Sequence, residues 1–144
     1  MTTNTSVQLP CPHCQATNRL PAARIGDDPN CGRCSKPLLD GHPLALDDGN
    51  FDAVVAACTV PVLVDFWAAW CGPCQAMAPA FTQAGKQLAG RALLVKVNSD
   101  DSPQLAARFG IRSIPTLVRL AQGKETGRQS GAVPVGAIVA LAQV

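Results

Sequence analysis

The 144-residue chain is poor in charge. Charged residues make up 15% of it, against about a quarter in an ordinary globular chain, and the net charge is only +2. The small excess is not concentrated: residues 1–40 carry four Arg/Lys against three Asp, and the remainder eight against seven. Neither part has the basic footprint of a nucleic-acid binder. No apolar run approaches the roughly eighteen residues that a membrane span needs. The opening, Met1-Thr-Thr-Asn-Thr-Ser-Val-Gln-Leu-Pro10, has neither a basic start nor an apolar stretch, so no secretory signal is visible and a cytoplasmic location is expected. No dinucleotide-binding glycine motif occurs either. Hydrophobic residues nevertheless reach 47%, enough for a real core, and seven cysteines are present. Seven cysteines without an export signal point to metal and redox chemistry rather than to structural disulfides.

Four of those cysteines fall in the first forty residues. Cys11-Pro-His-Cys14 and Cys31-Gly-Arg-Cys34 are two C-x2-C pairs separated by sixteen residues. That matches the spacing of a tetrahedral zinc site, in which Cys11, Cys14, Cys31 and Cys34 each supply a thiolate. Pro12 and Gly32 are residues that such tight turns use. The segment between them, Ala16 to Asn30, has few apolar side chains and cannot offset its own ordering entropy. One bound zinc, structural or redox-sensitive, can supply the missing stability. His13 is a fifth possible ligand, but four cysteines fill the tetrahedron, which leaves it as a solvent-facing turn residue. Leu38-Leu-Asp-Gly-His42 reads as a short join, dividing the chain into residues 1–41 and 42–144.

The second part is organised around Val62-Leu-Val-Asp-Phe-Trp-Ala-Ala-Trp-Cys-Gly-Pro-Cys74. Val62 to Trp67 is an apolar, partly β-branched run typical of a buried strand. A helical pattern follows, with Met77, Phe81, Ala84 and Leu88 on one face, so Cys71 sits where a helix starts. Free backbone N–H groups and the positive end of the helix dipole favour a thiolate there, the nucleophilic form of cysteine. Cys74, three residues on, is within disulfide reach. The pair describes a dithiol/disulfide exchange centre. Cys71 attacks, and Cys74 resolves the mixed disulfide.

Further along, Pro43 to Leu46 is a short strand. Asp47-Asp-Gly-Asn50 offers caps for a helix carrying Phe51, Val54, Val55 and Cys58. The helix after Cys71 is expected to run to about Ala89, kinked at Pro79. Ala92–Asn98 is a second buried strand, and Ser102-Pro103 opens a helix ending near Phe109. Thr116–Leu120 and Lys124–Gln129 form a hairpin, and Val133–Gln143 the last helix. Strand–helix alternation followed by a hairpin predicts an α/β sandwich with a mixed central sheet and helices on both faces.

Asp65-Phe-Trp-Ala-Ala-Trp-Cys-Gly-Pro-Cys74 resembles the active-site stretch of thioredoxins, a likeness that runs from about Leu44 to the C-terminus. The first forty residues resemble the zinc-binding extension of that family's zinc-containing branch. The resemblance implies the thioredoxin fold and a cytosolic protein-disulfide reductase with no bound organic cofactor, acting as a monomer on disulfide-containing proteins. Electrons would come from NADPH through thioredoxin reductase.

The resemblance also assigns roles. Asp65 would be a buried carboxyl that exchanges a proton with Cys74; the lesser alternative is a solvent-facing strand position. Lys96 would lie near that carboxyl, or be an ordinary lysine with its head in water. Gly72 and Pro73 shape the active-site turn, Trp70 flanks the thiols, and Trp67 packs. Ile114-Pro115, with a cis bond, would present backbone to an extended substrate, and Gly131 would allow its close approach. Gln75 stands where the family commonly has a basic residue. Cys58 reads as a core residue, and Arg119, in a usually apolar strand position, has no explanation at this level.

Two rivals remain. Cys11-Pro-His-Cys14 also spells the active-site motif of strongly oxidising disulfide oxidases, though no strand-to-helix context surrounds it. Alternatively the chain is a zinc-ribbon adaptor or redox switch, in which oxidation releases zinc and alters partner binding.

Overall fold

Strand β4 (Val62–Trp67) is the spine of the molecule, because alternate side chains along it serve two different cores. Val62, Val64 and Phe66 face one side, and Leu63 the other, as a pleated strand requires. β4 pairs in parallel with β5 (Leu93–Asn98), which pairs in parallel with β3 (Leu44–Leu46). On its other edge β4 pairs antiparallel with β6 (Thr116–Ala121), which forms a hairpin with β7 (Lys124–Ser130). The strand order is β3-β5-β4-β6-β7. This is the mixed sheet expected from the sequence, in a computed structural model that describes residues 6–11, 13, 14, 16–58 and 60–143. Pro12, placed by its sequence in the first knuckle turn, lies outside the described residues, as do residues 1–5.

Helix α2 (Gly72–Leu88) lays Met77, Phe81, Ala84 and Leu88 against Leu63, Leu94 and Leu117, together with Ile138 and Ala142 of α4 (Val135–Gln143). It continues as one helix through Pro79. The opposite face of the sheet packs on Phe51, Val54 and Val55 of α1 (Phe51–Ala57) and Leu105 of α3 (Pro103–Arg108). Cys58 packs half-buried against this same core, as expected, but from just past the helix, which ends at Ala57 with Cys58 as its C-cap. The acidic turn before α1 also works differently from expectation. Asn50 sits at the N-cap of α1 but accepts from the Asp47 N–H, whereas Asp48 accepts from Gln104 and Leu105 and so caps α3.

Arg119 now has an explanation. It is 8% exposed, and its guanidinium donates to the Thr126 hydroxyl and carbonyl and to the Leu141 carbonyl near the end of α4. A planar five-donor group can satisfy three acceptors on two elements at once, which no apolar residue could.

The N-terminal segment forms an antiparallel ribbon, β1 (Ser6–Pro10) with β2 (Thr17–Pro21), then a 3-10 helix, Ala22–Asp27. Leu9 and Leu38 are fully buried in the same core as Leu44, Phe51 and Val54. The segment therefore packs on the larger unit rather than hanging from it. The join crosses α2 at very close range. A Cβ on Gly85 would come 2.1 Å from the Gly41 carbonyl oxygen, so only glycine fits there, and Gly41 itself has φ +99°.

Candidate active site and metal centre

Cys71 occupies the N-cap position of α2, and its sulfur accepts the Cys74 backbone N–H at 3.2 Å. A sulfur in that position satisfies one of the helix's free donors and faces the positive end of its dipole. Pro73 lies in the first turn, where its missing N–H costs nothing. Cys71 and Cys74 are joined as a disulfide with Cα atoms 5.2 Å apart, and both are buried. Around them pack Ala68, Trp67 and Ile114.

The Ile114–Pro115 peptide is cis, and the Ile114 carbonyl oxygen lies 3.7 Å from the Cys71 sulfur. Across the same loop, Gly131 donates its N–H to the Pro115 carbonyl at 2.8 Å, with φ +89°, a conformation other residues rarely adopt. Trp70 is 72% exposed beside the cysteines, and its indole N–H donates to Asp100 at 2.9 Å. Asp100 had no signal in the sequence; only the fold brings its loop against Trp70. Gln75, in place of the family's usual basic residue, donates its amide to the Ala69 carbonyl at the base of the same turn.

Asp65 is on the α2 side of β4, 1% exposed, and neither of its oxygens has a hydrogen-bond partner among the described residues. The solvent-facing reading is therefore ruled out. Burial pushes its carboxyl up to about 7, against the opposing pull of Lys96. Lys96 is the register partner of Asp65 on β5, and its ammonium lies 4.6 Å from the centre of the Trp67 ring. As a residue it is half-buried.

At the other end of the chain the sulfurs of Cys11, Cys14, Cys31 and Cys34 all lie within 4.8 Å of one another, with two pairs at 3.6 Å. Four sulfurs bound tetrahedrally at 2.3 Å from zinc are separated by about 3.8 Å. Backbone N–H groups of His13 and Cys14 point at the Cys11 sulfur, and those of Arg33 and Cys34 at the Cys31 sulfur. With the Asn18 amide, the donors around Cys31 hold its thiol down to about 6. Donors converging on sulfur stabilise thiolates, and clustered thiolates need a cation. The residues present fit zinc. His13 is turned inward onto Asp40 at 3.0 Å, not outward to solvent as its sequence position had suggested. Among the described residues no helix starts at Cys11 or Cys14, which lie between β1 and β2.

A family model for thioredoxin matches residues 42–143, and one for the N-terminal part of thioredoxin 2 matches residues 10–36. The chain belongs to the thioredoxin family. It is 42% identical to thioredoxin C-3 of Corynebacterium nephridii over 123 residues, covering 85% of this chain and 84% of that one. It is 46% identical to the chloroplastic M-type thioredoxin of Zea mays over 107 residues, covering 74% of this chain and 64% of the longer relative. Among solved structures it is similar to a mutant thioredoxin from Halobacterium salinarum NRC-1, with a TM-score of 0.66 and 32% identity over 72% of this chain and 89% of that one. The thioredoxin fold and dithiol/disulfide oxidoreductase chemistry follow from the membership, and the zinc-ribbon match covers both C-x2-C pairs.

Proposed function

We propose that this thioredoxin is a general protein-disulfide reductase, and the observation that carries the reading is the Cys71–Cys74 pair with Cys71 at the N-cap of α2. In the reduced protein the Cys71 thiolate attacks a target disulfide. A Cys71–target bond forms, and one target thiolate leaves. The Cys74 thiolate then attacks the Cys71 sulfur, the second target thiolate departs, and two electrons have passed to the target. Asp65, with a carboxyl that titrates near neutrality, takes the proton Cys74 must lose, and Lys96 tempers its basicity.

The Ile114 backbone, whose N–H has no partner among the described residues, pairs with extended substrate over Pro115, and Gly131 leaves space for it. Trp70, Gly72 and Pro73 shape the rim. NADPH and thioredoxin reductase restore the dithiol. No helix among the described residues is long and apolar enough to cross a membrane.

Residues 1–41 form a zinc module in which Cys11, Cys14, Cys31 and Cys34 hold one structural ion, and residues 42–144 the catalytic domain. Zinc supplies the charge that keeps four thiolates together and closes a segment too polar to fold alone. Chelation should therefore expose these four thiols to alkylation, which mass spectrometry counts directly. Insulin reduction with NADPH and reductase tests the catalytic reading. The full chain should turn over, and a chain beginning at His42 should stay active but unfold at lower urea, because its loss strips Leu9 and Leu38 from the core beside Leu44, Phe51 and Val54. Absence of turnover in the full chain would refute the reductase reading.

A further inference from the structure

The chain has two histidines, and the fold brings both to one carboxylate. His13 Nε2 lies 3.0 Å from Asp40 Oδ2, and His42 Nδ1 lies 2.8 Å from Asp40 Oδ1. The two rings meet edge to face with centroids 4.6 Å apart. One ligand atom from each of the three residues falls within 4.8 Å of the others. We propose that His13, Asp40 and His42 form a second metal site, for a divalent transition ion, beside the four-cysteine centre.

Two imidazoles and one carboxylate are a donor set suited to zinc, nickel or copper, and not to magnesium or calcium, which take oxygen. Ligands set tetrahedrally around zinc with bonds of 2.0–2.2 Å are separated by about 3.3–3.6 Å. The two nitrogen–oxygen distances, 3.0 and 2.8 Å, are a few tenths of an ångström shorter, so an ion entering the cluster replaces the bridging protons and spreads the side chains slightly. The side chains of His13, Asp40 and His42 are 17%, 26% and 35% exposed, which gives an ion access and leaves water to complete its coordination. Three protein ligands with open positions are the pattern of exchangeable or reactive sites, where four thiolates are the pattern of closed ones.

The arrangement is built rather than accidental in two respects. His13 stands inside the first knuckle, so the four-cysteine cluster fixes its backbone: its own N–H donates to Cys11 sulfur at 3.3 Å. His42 and Asp40 are fixed by the join, where the His42 N–H donates to Asp40 Oδ1 and Gly41 is pressed against Gly85. The site thus spans the N-terminal module and the start of the larger unit.

The test is a zinc titration of the full chain, already carrying one equivalent of zinc and with Cys71–Cys74 oxidised, followed by metal counting and by NMR of the imidazole protons. Zinc is diamagnetic, so both imidazoles stay observable as it binds. The expected result is a second saturable equivalent, with both histidines shifting together as it binds. His42→Ala and Asp40→Asn should each weaken that second equivalent by more than the roughly 10–100-fold that loss of an outer-shell partner costs. Both should keep the first ion and the protection of the four cysteines, which shows that they fold. A single equivalent in the wild-type chain, a shift at one histidine only, or a second equivalent unchanged in His42→Ala would overturn the proposal.

Discussion

Replacing Cys71 with serine should lower insulin-reducing turnover at least about a thousandfold, a barrier increase of ~4 kcal/mol. A serine hydroxyl at the N-cap keeps the hydrogen bond to the Cys74 N–H and hence the helix, but it is not ionised near neutral pH and cannot form the mixed disulfide. Cys74→Ser should lose turnover to a similar degree for a different reason. The first attack still occurs, the second does not, and the chain accumulates covalently bonded to its target through Cys71. Mass spectrometry of a reaction with an oxidised protein substrate separates the two: an adduct in Cys74→Ser, none in Cys71→Ser. Cys58→Ser should change neither readout, because Cys58 is half-buried at the end of α1 and burial pushes its thiol up, away from the reactive form.

Asp65→Asn should make the folded protein more stable at pH 8 by up to roughly 4 kcal/mol, while slowing its chemistry. The native carboxyl titrates near 7, above its usual value of 3.8, so the folded state holds this proton more tightly than the unfolded chain. Stability from this group is thus fully present below pH 3.8, falls as pH rises from there towards 7, and is flat beyond. An amide cannot ionise and escapes that loss. Urea denaturation should show the variant and the wild-type chain close together at pH 4 and well separated at pH 8. The same substitution removes the proton acceptor for Cys74. Turnover should fall by about 100-fold, the low end for general acid–base catalysis, and the pH dependence near 7 should flatten. A wild-type chain equally stable relative to the variant at both pH values would mean that Asp65 is solvated or paired in solution.

The exchange centre was legible because its information is local. A β-branched strand, a C-x2-C pair and an apolar helical stripe lie within twenty-seven residues of sequence, Val62 to Leu88, and each element has a period of its own. The hairpin of β6 and β7 was visible for the same reason, through Gln122-Gly123 between two extended runs. The N-terminal ribbon was not. Ser6-Val-Gln-Leu9 alternates for only four residues before Pro10, Thr17–Pro21 has Leu20 as its one aliphatic residue, and their register is set across the first knuckle, where the Cys11 N–H donates to the Ala16 carbonyl. Leu9 and Leu38 lie in apolar runs of only one or two residues, beside Val7 and Leu39 and next to prolines, so nothing in a sequence window announces that they join the core of the larger unit. Arg119 reads as an intruder on β6 until α4 and β7 supply its acceptors, from residues seven and twenty-two positions away. Cys58 was drawn onto the α1 stripe by its spacing, but the helix stops one residue short of it. Asp40 and His42 looked like linker because their partner, His13, is distant in sequence and only the packed join brings them together.

All the proposed chemistry depends on Cys71 being ionised at neutral pH because of where α2 begins. The direct measurement is the rate of iodoacetamide alkylation of each cysteine in the reduced, zinc-loaded protein as a function of pH, read by mass spectrometry. The account predicts that at pH 7 Cys71 reacts at least about tenfold faster than Cys58 and than free cysteine, with a rate that levels off at lower pH than either. A Cys71 rate that matches free cysteine across the whole pH range would contradict it.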